Sequence, residues 1–248
     1  MIAIVSPAKN MRTAGLKGLE LTRPALLEKT RRLLPMLRAL EPWELESRLK
    51  INPQLAMKAF SDFQEFESPG GESPALLSYH GLAYQNLEAE SLGLEDFAFA
   101  GGSLRILSAF YGVLRPGDAI KPYRLEFQCG FQPGGKSLYH FWGDSIYREL
   151  FRNGDTVINL ASREYSKTVS PFLKTGDRMI TCDFLTFRRG KLITLAALAK
   201  MARGRVWPDF LIDNRIREPE GLREFSWEGY EFSPEHSDGE NFRFVQRF

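Results

Sequence analysis

Strand and helix signals alternate irregularly along this chain, and that irregularity constrains the fold more than any other feature. IAIVS at 2–6 reads as a buried strand, and DTVINLAS at 155–162, bounded by Asn153-Gly154 and rich in Val and Ile, reads as another. RMITCDFLTF and KLITLAA flank Arg188-Arg189-Gly190 and predict a hairpin that turns at Gly190. EFSWEGYEF and NFRFVQRF alternate aromatic with polar residues, the pattern of half-buried strands. Helical signals lie between these. Thr22 offers an N-cap, Pro24 falls in the first turn, and Leu26, Leu33, Leu37 and Leu40 keep helical spacing, with a kink expected at Pro35. Asn52-Pro53 opens a second helix, LRILSAFYGVL at 104–114 reads as helical up to Gly112, and SLYHFWGDSIYREL at 137–150 puts Leu138, Phe141, Trp142 and Ile146 on one face. A short basic helix is expected around 197–205. No clean βαβ repeat emerges, so the expected class is α+β, a mixed β-sheet flanked by helices. The 248 residues contain no repeat and no loose stretch beyond SPGGESP at 68–74, which predicts one domain over 1–248.

Apolar residues make up 43% of the chain, enough for a core without disulfides or metal. The longest apolar runs, such as LITLAALA at 192–199, fall far short of the roughly 20 residues that span a bilayer. MIAIVSPAK has no basic leader, so the expectation is a soluble, unexported protein with no membrane partner. Cys129 and Cys182, the chain's 2 cysteines, have no second thiol near either, so neither a redox CxxC nor a four-cysteine zinc site can be built, and both are expected to be buried, inert thiols. His80, His140 and His236 form no metal-binding motif; no metal and no cofactor are expected. Net charge is only +2, yet residues 163–205 hold 10 basic side chains against 3 acidic ones. If these cations converge in space they could hold phosphates; otherwise they are solvated edges and helix ends.

Three segments could carry chemistry. GFQPGGKS at 130–137 fits the phosphate-cradling G-x-x-x-x-G-K-[ST] pattern, with Lys136 and Ser137 as its phosphate and magnesium ligands. Its flanks argue for a surface turn instead: RLEFQC is a poor strand, Pro133 removes an amide, and FLID at 210–213 is a weak source of a second metal ligand. LRILSAFYGVLRPGDAIKPY at 104–123 breaks at Gly112, turns through Pro116-Gly117 and resumes from Asp118. That layout suits either a helix-hairpin-helix element whose amides hold a DNA phosphate, aided by Arg115, Lys121 and Arg124, or a packed corner. KMARGRVW at 200–207 gathers Lys200, Arg203 and Arg205 near a helix end, where they could equally complement the helix dipole, and Trp207 reads as core.

Through SPAK at 6–9, LRILSAFYGVLRPGDAIKPYRLE at 104–126, LYHFWGD at 138–144, INLASREYSKTV at 158–169, KMARG at 200–204 and EGYEF at 228–232, the chain resembles the YaaA family of bacterial peroxide stress proteins. The resemblance implies a cytoplasmic protein of the hydrogen peroxide response, with a family-specific mixed fold, a basic cleft, a helix-hairpin-helix element at about 104–123 and links to DNA repair and iron damage. It implies binding to double-stranded or structured DNA without sequence preference; separately, a monomer is the expected state. Carried over by motif, Gly112, Arg115 and Pro116 fall in the hairpin, and Lys9, Tyr123, Arg124, Lys167, Lys200 and Arg203 fall in or near the cleft; Lys121 and Arg205 add charge. The alternative is a glycosylase-like or lyase-like enzyme in the same cleft, with Lys9 or Lys167 as an amine nucleophile and Glu126 or Glu164 moving protons.

Overall fold

The computed structural model describes residues 1–207 and 216–247, and FLID at 210–213 lies outside them. Its spine is a nine-stranded mixed sheet made of β1 (Ile2–Val5), β2 (Leu104–Ser108), β3 (Gly112–Leu114), β4 (Val157–Asn159), β5 (Met179–Arg188), β6 (Lys191–Ile193), β7 (Ser226–Trp227), β8 (Tyr230–Phe232) and β9 (Asn241–Gln246). The order is β7-β8-β9-β5-β4-β1-β2-β3, with β6 also paired to β5. β9, β5, β4, β1 and β2 run parallel, and the outer strands pair antiparallel. The α+β expectation therefore holds, with a parallel centre that the irregular order of signals concealed.

β1 lies between β4 and β2, and all four of its residues are buried, as expected of a strand covered on both faces. The predicted hairpin also forms: Lys191–Ile193 fold back on Thr186–Arg188, and Arg189 (φ 51°) and Gly190 (φ 74°) take the left-handed conformations of a tight hairpin turn.

Among the described residues the helices include α1 (Leu27–Arg38), α2 (Pro42–Leu49), α3 (Pro53–Gln64), α4 (Leu82–Leu87), α5 (Leu94–Ser103), α6 (Leu138–Trp142), α7 (Ser145–Leu150), α8 (Arg163–Ser166) and α9 (Ala196–Val206), besides a single turn at Ala75–Ser78 and several short 3-10 turns. Asn52 caps α3 as anticipated, its Oδ1 accepting the Leu55 amide at 2.8 Å. Thr22 does not cap α1. Its hydroxyl donates to Asp118 Oδ1 at 2.6 Å, and its backbone bonds both Gly117 and Ala119, so the first helix starts at Leu27. The single helix expected over 137–150 breaks at Gly143 (φ 52°) into α6 and α7.

The principal correction concerns 104–123, where no helix-hairpin-helix element forms. LRILS is a buried strand paired in parallel with β1, and the chain turns through Ala109–Tyr111 into β3. Ser108 Oγ accepts the amides of Phe110 and Tyr111, satisfying donors that the tight turn would otherwise orphan. Gly112 (φ 77°) closes the turn, and a Cβ there would lie 2.7 Å from Trp142 Cζ3 and 2.8 Å from Leu26 Cδ1. Arg115-Pro116-Gly117-Asp118 is a second turn, in which Asp118 Oδ2 accepts the Arg115 amide at 2.8 Å.

Candidate functional site

The carboxyl ends of β1 and β4 lead into a cleft of about 350 Å³. Loops after such ends are where open sheets commonly gather ligands. Ser6–Asn10 follow β1, Leu160–Tyr165 follow β4, and Tyr123–Glu126 cross beside them; α4 and α9 complete the wall. Side-chain bonds fix these segments to one another. Ser6 Oγ accepts the Ser162 amide at 2.9 Å, and Tyr84 Oη donates to the Ser6 carbonyl at 3.0 Å. Tyr123 Oη lies 2.7 Å from Ser108 Oγ and 2.8 Å from Tyr79 Oη, so the cleft-lining tyrosine is held by a buried hydroxyl chain. Burial pushes its phenol up to about 12.

Glu126 is bracketed by two cations. Lys9 Nζ lies 2.7 Å from Oε2, and Arg124 Nε lies 3.0 Å from Oε1, a close ion pair whose angle makes no hydrogen bond. Arg124 also donates to the Lys9 carbonyl at 3.2 Å. Glu164 has different surroundings: burial pushes its carboxyl above the usual range, opposed by the Gln128 amide at 3.1 Å and reinforced by the charge of Glu126. Lys200 and Arg203 line the cleft from α9. Arg203 Nε is buried with no hydrogen-bond partner among the described residues, and the nearby charge of Asp183 opposes the desolvation of its guanidinium.

The helix that carries these two cations is held close by a glycine. A Cβ on Gly204 would lie 2.1 Å from the Ala83 carbonyl oxygen, so α9 crosses α4 backbone to backbone. Gly81 makes a milder approach, 3.3 Å from Ala8 Cβ, beside the loop after β1.

Of the residues expected at the site, Lys9, Tyr123, Arg124, Lys200 and Arg203 meet in the cleft, together with Glu126 and Glu164. Lys167 does not line it; it is exposed at the end of α8 with its amine 5.1 Å from the centre of the Tyr139 ring. Gly112 and Pro116 are buried, and Arg115 follows β3 toward the amino ends of the parallel strands, away from the cleft. Lys121 is tied to the Ser68 carbonyl and to Glu72, and Arg205 pairs with Glu88 at 2.9 Å. Ser6, Ser162, Tyr84, Tyr165 and Gly204 line the cleft without having been singled out. Among the described residues no three His, Cys, Asp or Glu side chains are grouped to hold a metal ion, and no helix is long and apolar enough to cross a membrane. The phosphate-loop pattern does not build a phosphate loop: no strand precedes it, Pro133–Gly135 form a short turn, and Ser137 Oγ caps α6 by accepting the His140 amide.

Residues 1–236 match the family described as peroxide stress protein YaaA. The chain belongs to the YaaA family. It is 43% identical over 244 residues to a UPF0246 protein of Lactobacillus johnsonii, covering 97% of this chain and 96% of that one. It is 36% identical over 247 residues to a UPF0246 protein of Clostridioides difficile, covering 99% and 100%. Peroxide attacks thiolates, and this YaaA chain offers poor ones. Cys182 is buried and its thiol is pushed up to about 12, while half-buried Cys129 is also raised by burial.

Proposed function

We propose that this YaaA protein binds duplex or structured DNA in the cytoplasm during peroxide stress, without sequence preference, and shields it from peroxide and iron damage. Support comes chiefly from the charge gathered on one cleft: Lys9, Arg124, Lys200 and Arg203 arrive from three distant parts of the chain, against two carboxylates, Glu126 and Glu164, among the described lining residues. An excess of cations on fixed walls attracts polyanions, and phosphate contacts position DNA without reading bases. Lys167, exposed one turn beyond Glu164, extends that surface. The hairpin at 104–114 supplies no helix N-terminus, so in this reading the phosphates are held by side chains.

Fluorescence anisotropy of two unrelated labelled duplexes through a salt series tests it. Both should bind alike, and log affinity should fall with log salt by about 0.9 per phosphate neutralised. Lys200→Ala and Arg124→Ala should each flatten the slope; no binding at low salt refutes the proposal.

A second reading, an enzyme acting on a nucleobase or its glycosidic bond, draws on the contrast between the two carboxyls. One carboxyl whose proton affinity is raised by burial, beside one bracketed by cations, is an arrangement suited to an acid and an electrostatic stabiliser. In that step the C1′–N bond breaks, Glu164 gives its proton to the departing base, and water adds to C1′ and releases its own proton to solvent. Alkali-labile sites formed in oxidised duplex by the parent protein and lost in Glu164→Gln would support it. Saturated binding with no released base counts against it.

A further inference from the structure

We propose that the cleft receives one nucleotide extruded from a bound duplex, its phosphate held by Arg203 and Lys200 and its base enclosed by the apolar wall; this rests on the DNA-binding reading. The first argument is size. Ligand pockets run from roughly 300 to 1,000 Å³, and at about 350 Å³ this cleft holds a nucleotide-sized group but not a base pair with its backbones. Cations inside such a cleft reach a duplex only through whatever part of the duplex enters it.

The second argument is the mixed chemistry of the lining. Val5, Leu87, Leu125 and Leu160 are apolar, and the rings of Tyr84 and Tyr165 stand with them, a wall suited to the faces of a planar base. Tyr84 is bonded to the Ser6 carbonyl, so that wall is set before any ligand arrives. The same lining offers polar groups for the rest of a nucleotide: Ser162 and Glu164 after β4, and Lys200 and Arg203 on α9.

The third argument is the difference in pairing among the cleft's cations. Arg203 Nε is buried without a hydrogen-bond partner among the described residues, so no acceptor of the protein ties that edge of the guanidinium. Lys9 and Arg124 already share Glu126, whereas neither Arg203 nor Lys200 has a carboxylate within ion-pair distance among the described residues. A planar fork beside an exposed ammonium, three residues apart on one helix, is a phosphate-recognising pair.

A duplex with a terminal fluorescein and a central 2-aminopurine reports both steps, because anisotropy follows binding and 2-aminopurine brightens when it leaves the stack. Saturating protein should raise the 2-aminopurine signal several-fold. At protein concentrations that saturate each variant by anisotropy, Arg203→Met should lose the rise and Arg203→Lys should restore part of it. Deoxyadenosine monophosphate, small enough for the cleft, should suppress the rise and leave anisotropy in place. Saturated binding with no rise in the parent protein overturns extrusion alone. Absence of binding overturns the DNA reading, and extrusion with it.

Discussion

Replacing Gly204 by alanine should loosen the helix that carries Lys200 and Arg203. The added Cβ would sit 2.1 Å from the Ala83 oxygen, 2.8 Å from its carbonyl carbon and 3.0 Å from its Cα. All three are backbone atoms of α4, so no side chain can swing aside. Reaching even a 3.0 Å contact with the oxygen requires about 0.9 Å of separation between the helices, a local overpacking that costs about 1–3 kcal/mol, here at the upper end. Alanine recovers about 1 kcal/mol of helix propensity, leaving a net loss of about 2 kcal/mol. For a chain of this size that lowers Tm by about 4–8 °C. Gly102→Ala in α5 is the control, because a Cβ there meets nothing within 4 Å and only the propensity gain remains. Thermal melts followed by circular dichroism separate the two. A Gly204→Ala protein as stable as its parent would refute the backbone-to-backbone crossing and the placement of the cleft wall that depends on it.

Glu126→Gln removes the carboxylate shared by Lys9 and Arg124, so anisotropy should show tighter DNA binding and a salt slope steeper by about one contact; unchanged affinity would mean those cations do not face DNA. Glu164 has a raised folded-state pKa, so the native protein binds its proton more tightly than the unfolded chain and loses stability as pH rises from the unfolded carboxylate range through the folded value. Glu164→Gln should therefore be more stable than its parent at pH 7 and lose that advantage near pH 4; urea midpoints showing the same difference at both pH values would contradict this. Lys136→Ala should change stability by no more than about 0.5 kcal/mol and leave DNA affinity intact, since its loop is a turn; acquired or lost nucleotide binding in a titration would reopen the phosphate-loop pattern. A thiol reagent should find Cys182 only after unfolding and Cys129 slowly, and two fast equivalents in the native protein would show the burial to be wrong.

Elements bounded by strong local punctuation were legible in the sequence. Asn52-Pro53 marks the start of α3, and the Arg189-Gly190 turn marks the hairpin, because capping and left-handed conformations depend on neighbours in the chain. LRILSAFYGVL was not legible in this way. Its apolar residues satisfy a helical period and a doubly covered strand alike, and the choice is made by β1, about a hundred residues away, which pairs Ala3 with Leu104 and Val5 with Ile106. The same segment shows why a motif can be right about position and wrong about shape. Gly112 and Asp118 are required there, Gly112 by the Trp142 ring and Asp118 by the Arg115 amide, whatever the function of the cleft.

The site was half visible for a related reason. Lys200 and Arg203 stood out as members of a basic run, but the run itself is not the site: Arg205, two residues on, is paired with Glu88, and Lys167 lies over Tyr139 outside the lining. Helical geometry separates cations that sequence counts together, because residues two apart face different sides while residues three apart share one. The sequence offers Glu126 as a carboxylate and Lys9 as a cation, yet their meeting at 2.7 Å depends on the strand order that brings the end of β1 beside the segment after the hairpin. The distinction that matters for binding is thus between paired cations and unpaired ones, and only the fold makes it. Lys9 and Arg124 share one carboxylate, so the charge left to meet a phosphate is concentrated on α9. Substituting Lys200 should therefore cost more DNA affinity than substituting Lys9, although both are exposed lysines of the same cleft, and equal losses by anisotropy would show that Glu126 does not offset its neighbours.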